Sequence, residues 1–520
     1  MIRQIKSKTL VSALALSAAI GLSACAPAET PDTETEVATE TTATPMSCED
    51  LASIDLGYTV ISGAEIVSAG AFTPPPAPGA RPADFTGLPE YCRVTGSIQP
   101  TENSDIKFEA WLPLAENWNG RFMQVGNGGA AGSMAYASMI QPLTRGYAVV
   151  HTDTGHRGTM GDFTWALGEP EKLTDYQYRA AHETTLKGKD ITSAFYGGGP
   201  ERSYWFGCST GGRQGLVEAQ RFPEDYDAII AGAPANNWEP LQLYSIHALN
   251  NLGPNGLPVS KLGVLKAGAV AACDAGDGLE DGIISDFGSC TFTPSQLQCS
   301  PGADEGACLT PDEAAAAENI YAGIVTSDGM TAMPGPGFGS EAEWAAYATP
   351  FFRIGTSYMQ NVVLEDTSWD PATMEVDTHL PILEAHDQGR TAAMDPDLSA
   401  FLGQGGKLLM YHGMADGIIP YGNTRNYYES VVETMGSAAD EGVQFFSVPG
   451  MGHCSGGDGA SAIDWISAIE AWDETGDKPD QLEASHPDGR FTRPICEYPA
   501  LVTYDGSGDE NDAASFTCEM

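Results

Sequence analysis

A glycine-rich turn in the middle of the chain constrains the fold more than any other segment. Residues 205–212 read Trp-Phe-Gly-Cys-Ser-Thr-Gly-Gly, after an apolar run and before a helix-like segment at 213–221. A serine on a sharp strand-to-helix turn raises its hydroxyl clear of the sheet, and flanking glycines accept backbone geometry that a Cβ would forbid. The pattern predicts that Ser209 is a nucleophile. Because the chain has 60 glycines, that prediction depends on the strand and the helix around the motif.

Strand-like and helix-like segments alternate along much of the chain, which predicts a mostly parallel, doubly wound sheet. His182 falls within the predicted helix 174–195 and is interpreted as structural. The predicted strands are 106–114, 122–125, 147–151, 228–232, 406–411 and 443–448, and the other predicted helix is 423–435.

An acid and a base follow two of these strands in the chain order that is typical of α/β-hydrolases. In α/β-hydrolases the catalytic residues come as Ser, then Asp or Glu, then His, each in a loop after a strand. Asp416 and His453 meet both conditions with Ser209. His453 would take the proton from Ser209, and Asp416 would hold the imidazole tautomer. Taken singly, Asp416 is also typical of a turn and His453 of a glycine-rich loop; together with Ser209 they predict an α/β-hydrolase.

A second glycine-rich loop, Gly-Asn-Gly-Gly at 126–129, follows the predicted strand 122–125. It lacks the Gly-Lys-Ser/Thr ending of a phosphate-binding P-loop. It suits the loop that supplies an oxyanion-hole N–H in hydrolases. We therefore expect the oxyanion to be bound by the N–H of Thr210 together with that of Gly128 or Gly129.

The regular pattern breaks down in a segment rich in Gly, Pro, Ala and acidic residues, which we interpret as a lid domain, 238–401, inserted into a catalytic domain made of 47–237 and 402–520. Arg353, a cation in this mostly acidic lid, could bind a substrate carboxylate or form an ordinary ion pair. Aromatic lid residues could stack on a substrate ring, although such residues more often pack in a core. They are Phe338, Phe351, Phe352, Tyr358 and Trp369.

Charge and the N-terminus bear on the location of the protein. Acidic residues number 70 against 25 basic, a net charge of -45, which excludes nucleic acid and anionic membrane surfaces as electrostatic partners.

A basic start, an apolar run at 10–22 and Leu-Ser-Ala-Cys at 22–25 resemble the signal of bacterial lipoproteins. This predicts a signal peptide at 1–24, a lipid anchor on Cys25 and a disordered acidic tether at 25–46. An ordinary signal-peptidase site is the alternative. The prediction is an exported, membrane-anchored protein, periplasmic or on the cell surface.

Of 11 cysteines, all but Cys25 form an even set, and no Cys-x-x-Cys pair is present. In an exported chain they predict five disulfides rather than zinc ligands. Cys208 precedes the predicted nucleophile and Cys454 follows the predicted base. A hydrogen bond between Ser209 and His453 would bring these two cysteines near bridging distance.

Several motifs together resemble the tannase and feruloyl esterase family, which includes mono(hydroxyethyl) terephthalate hydrolases. The resemblance covers roughly 47–520 and implies an α/β-hydrolase core, a lid inserted before the acid, a Cys208–Cys454 disulfide and esters of aromatic acids as substrates. The motifs are Gly-Cys-Ser-Thr-Gly-Gly-Arg-Gln at 207–214, Ala-Gly-Ala-Pro-Ala at 231–235, His412-Gly413 with Asp416, His453-Cys454, and similar stretches at 152–156, 336–341 and 397–401.

An acidic, glycine-rich loop at 273–283 predicts a metal site in the lid, because a hard cation relieves repulsion between close carboxylates. An acidic surface turn is the alternative, and the spacing is not that of an EF-hand. The resemblance implies structural calcium bound by Asp274, Asp277 and Asp281 and by the carbonyls of Leu279 and Ile283. The proposed pairing of the remaining cysteines is Cys273–Cys290, Cys299–Cys308, Cys48–Cys92 and Cys496–Cys518. No organic cofactor is expected.

The sequence thus predicts a secreted serine carboxylesterase that hydrolyses small-molecule esters of aromatic carboxylic acids, in the manner of a feruloyl esterase, through an acyl-enzyme. A tannase or a mono(hydroxyethyl) terephthalate hydrolase is the alternative. A surface-tethered binding protein without catalysis is a more distant one, since a binding module needs no complete set of Ser209, Asp416 and His453. An adhesive calcium protein would repeat its acidic motif, which occurs once.

Overall fold

A nine-stranded mixed sheet forms the centre of the computed structural model, which describes residues 44–76, 83–253 and 256–520. The order across the sheet is β1-β2-β3-β5-β4-β6-β7-β10-β11. The strands are β1 (Thr59–Val67), β2 (Tyr91–Ile98), β3 (Ile106–Pro113), β4 (Arg121–Val125), β5 (Ala148–Thr152), β6 (Arg202–Cys208), β7 (Ala228–Gly232), β8 (Ile324–Val325), β9 (Thr331–Met333), β10 (Lys407–Gly413), β11 (Val443–Val448), β12 (Gln481–Ser485), β13 (Thr492–Cys496), β14 (Leu501–Tyr504) and β15 (Phe516–Glu519).

Helices cover both faces of this sheet and fill the segment between β7 and β10. They are α1 (Tyr136–Thr144), α2 (Pro170–Thr174), α3 (Ala180–Tyr196), α4 (Thr210–Arg221), α5 (Trp238–Asn251), α6 (Leu262–Cys273), α7 (Pro311–Ala322), α8 (Ile354–Tyr358), α9 (Val376–Asp387), α10 (Ser399–Gly403), α11 (Tyr421–Met435), α12 (Ser437–Gly442) and α13 (Trp465–Thr475).

Six adjacent strands of the sheet, β5-β4-β6-β7-β10-β11, run parallel. Strands β1, β2 and β3 add an antiparallel edge beside β5. Parallel strands end at the same edge of a sheet, so the loops that leave β4, β6, β10 and β11 come together there. The predicted α/β-hydrolase fold with a mostly parallel, doubly wound sheet is confirmed.

The predicted elements match most closely in the parallel core, where 228–232 and 443–448 coincide with β7 and β11. The predicted helix 174–195 is instead three successive pieces, α2, a π-helical turn at Asp175–Arg179, and α3. On α3, His182 Nδ1 lies 2.6 Å from Asp225 Oδ2, and its ring stacks on Phe222 with the centroids 3.8 Å apart. These contacts hold α3 against the loop before β7.

The segment between β7 and β10 is a helical layer with its own apolar core. That core contains Trp238 and Tyr244 of α5 together with Trp344 and Tyr358. Of the five aromatic residues considered for substrate stacking, Tyr358 is fully buried, and Phe338, Phe352 and Trp369 pack against this core. Phe351 is 86% exposed and so belongs to neither the core nor a closed pocket.

Residues 1–43, and with them the predicted signal peptide, Cys25 and most of the tether, lie outside the described residues. At the predicted end of the tether, Met46 donates its N–H to the carbonyl of Ala194 over 3.0 Å. Within the described ranges, no helix combines the length and the apolar character needed to cross a membrane.

Five disulfides link the ten cysteines of the described residues, in the pairing proposed from the sequence. They are Cys48–Cys92, Cys208–Cys454, Cys273–Cys290, Cys299–Cys308 and Cys496–Cys518. Cys208–Cys454 spans 246 positions of sequence and joins the end of β6 to the loop after β11.

Candidate active site

Ser209 lies in the sharp turn between β6 and α4, with φ 64° and ψ -124°. A positive φ is unusual for a residue with a side chain, and such strain concentrates at functional sites. The glycines of the motif are needed because neighbouring backbone comes too close for a Cβ. They are not needed for the backbone angles of the turn. A Cβ on Gly207 would lie 2.4 Å from backbone atoms of Gly211, and one on Gly212 would lie 2.3 Å from the carbonyl oxygen of Gly232. The unusual backbone geometry, predicted for the glycines, is adopted by the serine instead.

Asp416 and His453, predicted as the acid and the base, are in direct contact. His453 Nδ1 lies 2.7 Å from Asp416 Oδ2. The other oxygen, Oδ1, accepts the N–H groups of Ile418 and Ile419 over 2.8 and 2.9 Å. His412, to which sequence analysis gave no role, places Nε2 3.1 Å from Asp416 Oδ2. The carboxylate is therefore fixed by donors on both of its oxygens.

Asp416 is completely buried, whereas His453 is partly exposed. Burial alone raises the pKa of Asp416, but the charge of His453 and hydrogen bonds from His412 and His453 outweigh it and hold the pKa well below its usual range. Asp416 is therefore ionised at neutral pH. A buried carboxylate beside Nδ1 favours the imidazole tautomer that carries its proton on Nδ1, so Nε2 is the nitrogen that acts as a base.

The Cys208–Cys454 disulfide brings the predicted nucleophile and base together, because each cysteine adjoins one of them. The two cysteine Cα atoms are 5.9 Å apart. Ser209 Oγ makes no hydrogen bond with any residue that the structure describes. Catalytic hydrogen bonds are often long in free enzymes and shorten when substrate binds.

The predicted oxyanion loop is held by hydrogen bonds to its carbonyl groups. Thr210 Oγ1 and the Tyr176 hydroxyl both donate to the carbonyl of Gly129, over 2.7 and 3.0 Å. His156 Nε2 lies 2.8 Å from the carbonyl of Ala130, and burial lowers the pKa of His156 to about 4, so it donates as a neutral imidazole. In the described part of the chain, the Gly128 and Gly129 N–H groups have no acceptor. Thr210 begins α4, where an N–H has no intrahelical partner.

Arg213, one turn along α4 from Ser209, connects this helix to the lid. Its side chain is fully buried and donates to the carbonyls of Gln177 (2.8 Å), Thr391 (3.1 Å) and Tyr176 (3.2 Å). Its guanidinium also lies over the ring of Trp238. The sequence motif contained this arginine but did not indicate what it would bind.

Arg353, the candidate for binding a substrate carboxylate, lies at the start of α8. Its Nε donates to the carbonyl of Thr349 over 3.3 Å, and no carboxylate of the described residues forms an ion pair with it. The backbone of Arg353 packs on Gly161, since a Cβ there would lie 3.1 Å from its nitrogen. The adjacent Met160 carbonyl accepts the Ala130 N–H over 2.8 Å. Arg353 thus stands beside the segment that supports the oxyanion loop.

The predicted calcium ligands lie in the loop after α6. Asp274 accepts the N–H of Gly282, and Asp281 Oδ2 accepts from Arg493 Nη2 over 2.6 Å. Burial, together with repulsion from Asp281, raises the pKa values of Asp274 and Asp277. Among the described residues, only His182, Glu218 and Asp225 bring three such ligand atoms within 4.8 Å of one another. The three loop aspartates do not meet this limit together.

The sheet, the turn at Ser209 and the contact between Asp416 and His453 define an α/β-hydrolase with a helical insertion ahead of its acidic residue. Comparison with known proteins narrows that class. The chain belongs to the tannase and feruloyl esterase family, whose profile matches residues 92–519.

Relatives over nearly the full length support this assignment. The chain is 35% identical over 536 residues to an uncharacterized esterase of Xanthomonas campestris, covering 91% of each protein. It is 34% identical over 460 residues to feruloyl esterase C of Talaromyces stipitatus, covering 83% of this chain and 86% of that enzyme. The crystal structure of feruloyl esterase B from Aspergillus oryzae superposes with a TM-score of 0.84 at 32% identity, covering 91% of this chain and 99% of the other. This chain is an esterase of that family.

Removing the disulfide beside Ser209 tests whether it positions the site. We expect Cys208→Ala/Cys454→Ala to lower kcat by roughly 10- to 100-fold, because small misplacements of reacting groups are costly. The free energy of unfolding should also fall, by at most about 5 kcal/mol from chain entropy.

The matched control is Cys299→Ala/Cys308→Ala, which opens a disulfide spanning nine positions in the lid and should leave kcat near wild type. Ester hydrolysis and thermal unfolding of both variants provide the measurement. A folded Cys208→Ala/Cys454→Ala variant with wild-type kcat would show that the disulfide has no positioning role.

Proposed function

We propose that this esterase is a serine carboxylesterase that hydrolyses esters of aromatic carboxylic acids through an acyl-enzyme. The observation that carries the proposal is the arrangement around Ser209. A strained serine turn is joined by Cys208–Cys454 to the residue after His453, and the His453 imidazole contacts a fully buried Asp416 at 2.7 Å.

In this mechanism His453 removes the hydroxyl proton of Ser209 as Oγ attacks the carbonyl carbon of the ester. The carbonyl π electrons move to oxygen, and the N–H groups of Thr210 and of Gly128 or Gly129 bind the resulting oxyanion. The C–O bond to the alcohol then breaks, and His453 donates its proton to the leaving oxygen. Water then attacks the acyl carbon while His453 takes its proton; the bond between the acyl carbon and Ser209 Oγ breaks, His453 returns the proton to Oγ, and the acid is released. Asp416 remains ionised throughout and stabilises the imidazolium of His453.

The aromatic acid specificity is proposed from the relatives, two of which are feruloyl esterases by name. A second candidate is hydrolysis of a monoester that retains a free carboxylate, such as mono(hydroxyethyl) terephthalate. Arg353 favours it, because the described residues provide that guanidinium with a backbone carbonyl but no carboxylate. A substrate carboxylate would complete its hydrogen bonding.

We also propose that the protein is exported and held at a membrane by lipid on Cys25. Five disulfides support an oxidising compartment, since they are rare in a reducing cytosol. The anchor itself is proposed from the lipoprotein-like sequence at 22–25.

The loop after α6 fits a structural calcium ion. Its donors are all oxygens, and a bound cation would offset the burial and the repulsion from Asp281 that raise the pKa values of Asp274 and Asp277. Asp274, Asp277 and Asp281 would hold the ion with the carbonyls of Leu279 and Ile283. The ion would stabilise the lid and take no part in proton transfer.

The serine mechanism is tested with methyl ferulate, methyl gallate and mono(hydroxyethyl) terephthalate. Whichever ester is hydrolysed, Ser209→Ala should lower kcat by at least about 10⁴-fold, because the nucleophile is lost. Ser455→Ala, which removes an exposed hydroxyl next to Cys454, should retain wild-type kcat. Acid quenching during turnover should give an acyl adduct on Ser209 by mass spectrometry. Wild-type turnover by Ser209→Ala would overturn the mechanism.

The role of Arg353 is tested by comparing a charged with a neutral ester. Arg353→Gln should lower kcat/KM for mono(hydroxyethyl) terephthalate by roughly 10- to 100-fold, the value of a charge-assisted hydrogen bond, and should leave methyl ferulate unaffected. Arg390→Gln, at an exposed arginine of the same lid, should affect neither. Equal losses on both esters would assign Arg353 to lid structure.

Calcium removal should lower the melting temperature of the lid. Calcium at 100 times its Kd stabilises the folded protein by about 2.7 kcal/mol. Chelation should therefore lower the melting temperature measured by calorimetry, and added Ca²⁺ should restore it whereas Mg²⁺ should not. Asp277→Asn should abolish the calcium-dependent shift. Glu280→Gln removes an exposed charge from the same loop and should retain it. A melting temperature that does not depend on calcium would refute the site.

A further inference from the structure

Glu343, from the lid, contacts the loops of both Asp416 and His453. Its Oε1 accepts the backbone N–H of His453 over 2.9 Å, and its Oε2 accepts the N–H of Gly417 over 2.9 Å. Gly417 directly follows Asp416, so one carboxylate bridges the acid loop and the base itself. Glu343 lies in the 3₁₀ helix Glu341–Ala348, a segment to which sequence analysis gave no catalytic role.

Two glycines provide the room for this carboxylate. A Cβ on Gly452 would lie 2.2 Å from Glu343 Oε1, and its three nearest atoms would all belong to the Glu343 carboxyl group. A Cβ on Gly417 would lie 2.9 Å from the Glu343 Cβ. The loops at Asp416 and His453 therefore leave space that the Glu343 side chain fills. The contact is part of the packed structure and is not an incidental surface contact.

Backbone N–H groups donate to both oxygens of the Glu343 carboxylate. Within the described ranges, no lysine or arginine forms an ion pair with it. Its carboxylate instead contacts the loops of Asp416 and His453. Burial and the negative charge of Asp416 raise the pKa of Glu343, whereas the N–H groups of Gly417 and His453 oppose that rise. The same 3₁₀ helix is anchored again where the Tyr347 hydroxyl donates to the carbonyl of Ile418 over 2.7 Å.

We propose that Glu343 is a positioning residue for hydrolysis, through which the lid fixes the acid and base loops relative to each other. It acts through the backbone of His453 and Gly417 and does not touch the reacting atoms. Its charge also favours the imidazolium that forms when His453 takes the proton of Ser209. This inference rests on the proposed serine mechanism and extends it to a residue of the lid.

Truncation provides the first test, with the ester that the wild type hydrolyses. Glu343→Ala should lower kcat by roughly 10- to 100-fold and leave KM within about threefold, because the loss affects positioning and not substrate binding. The acid limb of the pH profile of kcat/KM should move to lower pH, because a negative charge near the imidazole is removed.

Glu341→Ala is the matched control, since Glu341 is a buried glutamate of the same 3₁₀ helix whose carboxylate accepts from Gly339 and Tyr321 within the lid. It should lower the melting temperature yet retain kcat and the pH profile of the folded enzyme. An equal kcat loss in Glu341→Ala would overturn the proposal, because any disturbance of the lid would then be sufficient.

A steric variant separates positioning from folding. Gly452 does not adopt a left-handed φ, so Gly452→Ala is free of backbone strain and should act only by displacing the Glu343 carboxylate. Gly452→Ala should lower kcat as Glu343→Ala does, and the double variant should be no worse than Glu343→Ala alone. Multiplied losses in the double variant, or wild-type kcat in Glu343→Ala, would refute the role of Glu343. If Ser209→Ala were active as well, the serine mechanism itself would be wrong.

Discussion

The parallel pairing of β6, β7, β10 and β11 is the constraint on which the site depends. Because these strands run in the same direction, the loops that leave β6, β10 and β11 open at one edge of the sheet, where Ser209, Asp416 and His453 lie. The spacing between the strands is kept by small residues. A Cβ on Gly232 of β7 would fall 2.1 Å from the ring of Tyr411 in β10, and would push the acid loop away from the serine turn.

Local patterns in the sequence were sufficient for this part of the molecule. Strands β7 and β11 were predicted at their observed bounds, because fully buried parallel strands appear as short, continuous apolar runs ended by glycine or proline. Edge strand β1 was missed, since most of its residues are at least partly exposed and its apolar residues do not alternate regularly. The π-helical turn at Asp175–Arg179 was also missed: its buried Asp175 accepts from Ser104, a contact across 71 positions.

The candidate site likewise contains residues that local sequence patterns predict and residues that they do not. Ser209, Asp416 and His453 follow strands in a recognisable order, so their placement could be predicted. Glu343 could not, because nothing in its own neighbourhood of sequence distinguishes it, and its partner His453 is 110 positions away. The hydrogen bonds to the Gly129 carbonyl likewise come from residues 47 and 81 positions along the chain. Contacts of this range become visible only when the fold has brought the segments together.

The acidic composition has a counterpart in how buried carboxylates are stabilised. With 70 acidic and 25 basic residues, the chain cannot pair every carboxylate with a cation. Backbone N–H groups serve instead: Asp416 accepts from Ile418 and Ile419, and Glu343 from Gly417 and His453. The Cys208–Cys454 disulfide also affects what happens when the chain is cleaved. It closes a ring that contains the whole lid, so a single peptide cleavage anywhere between those cysteines leaves both fragments joined beside Ser209. In an environment that contains proteases, cleavage of the lid and separation of Ser209 from His453 would then be different events.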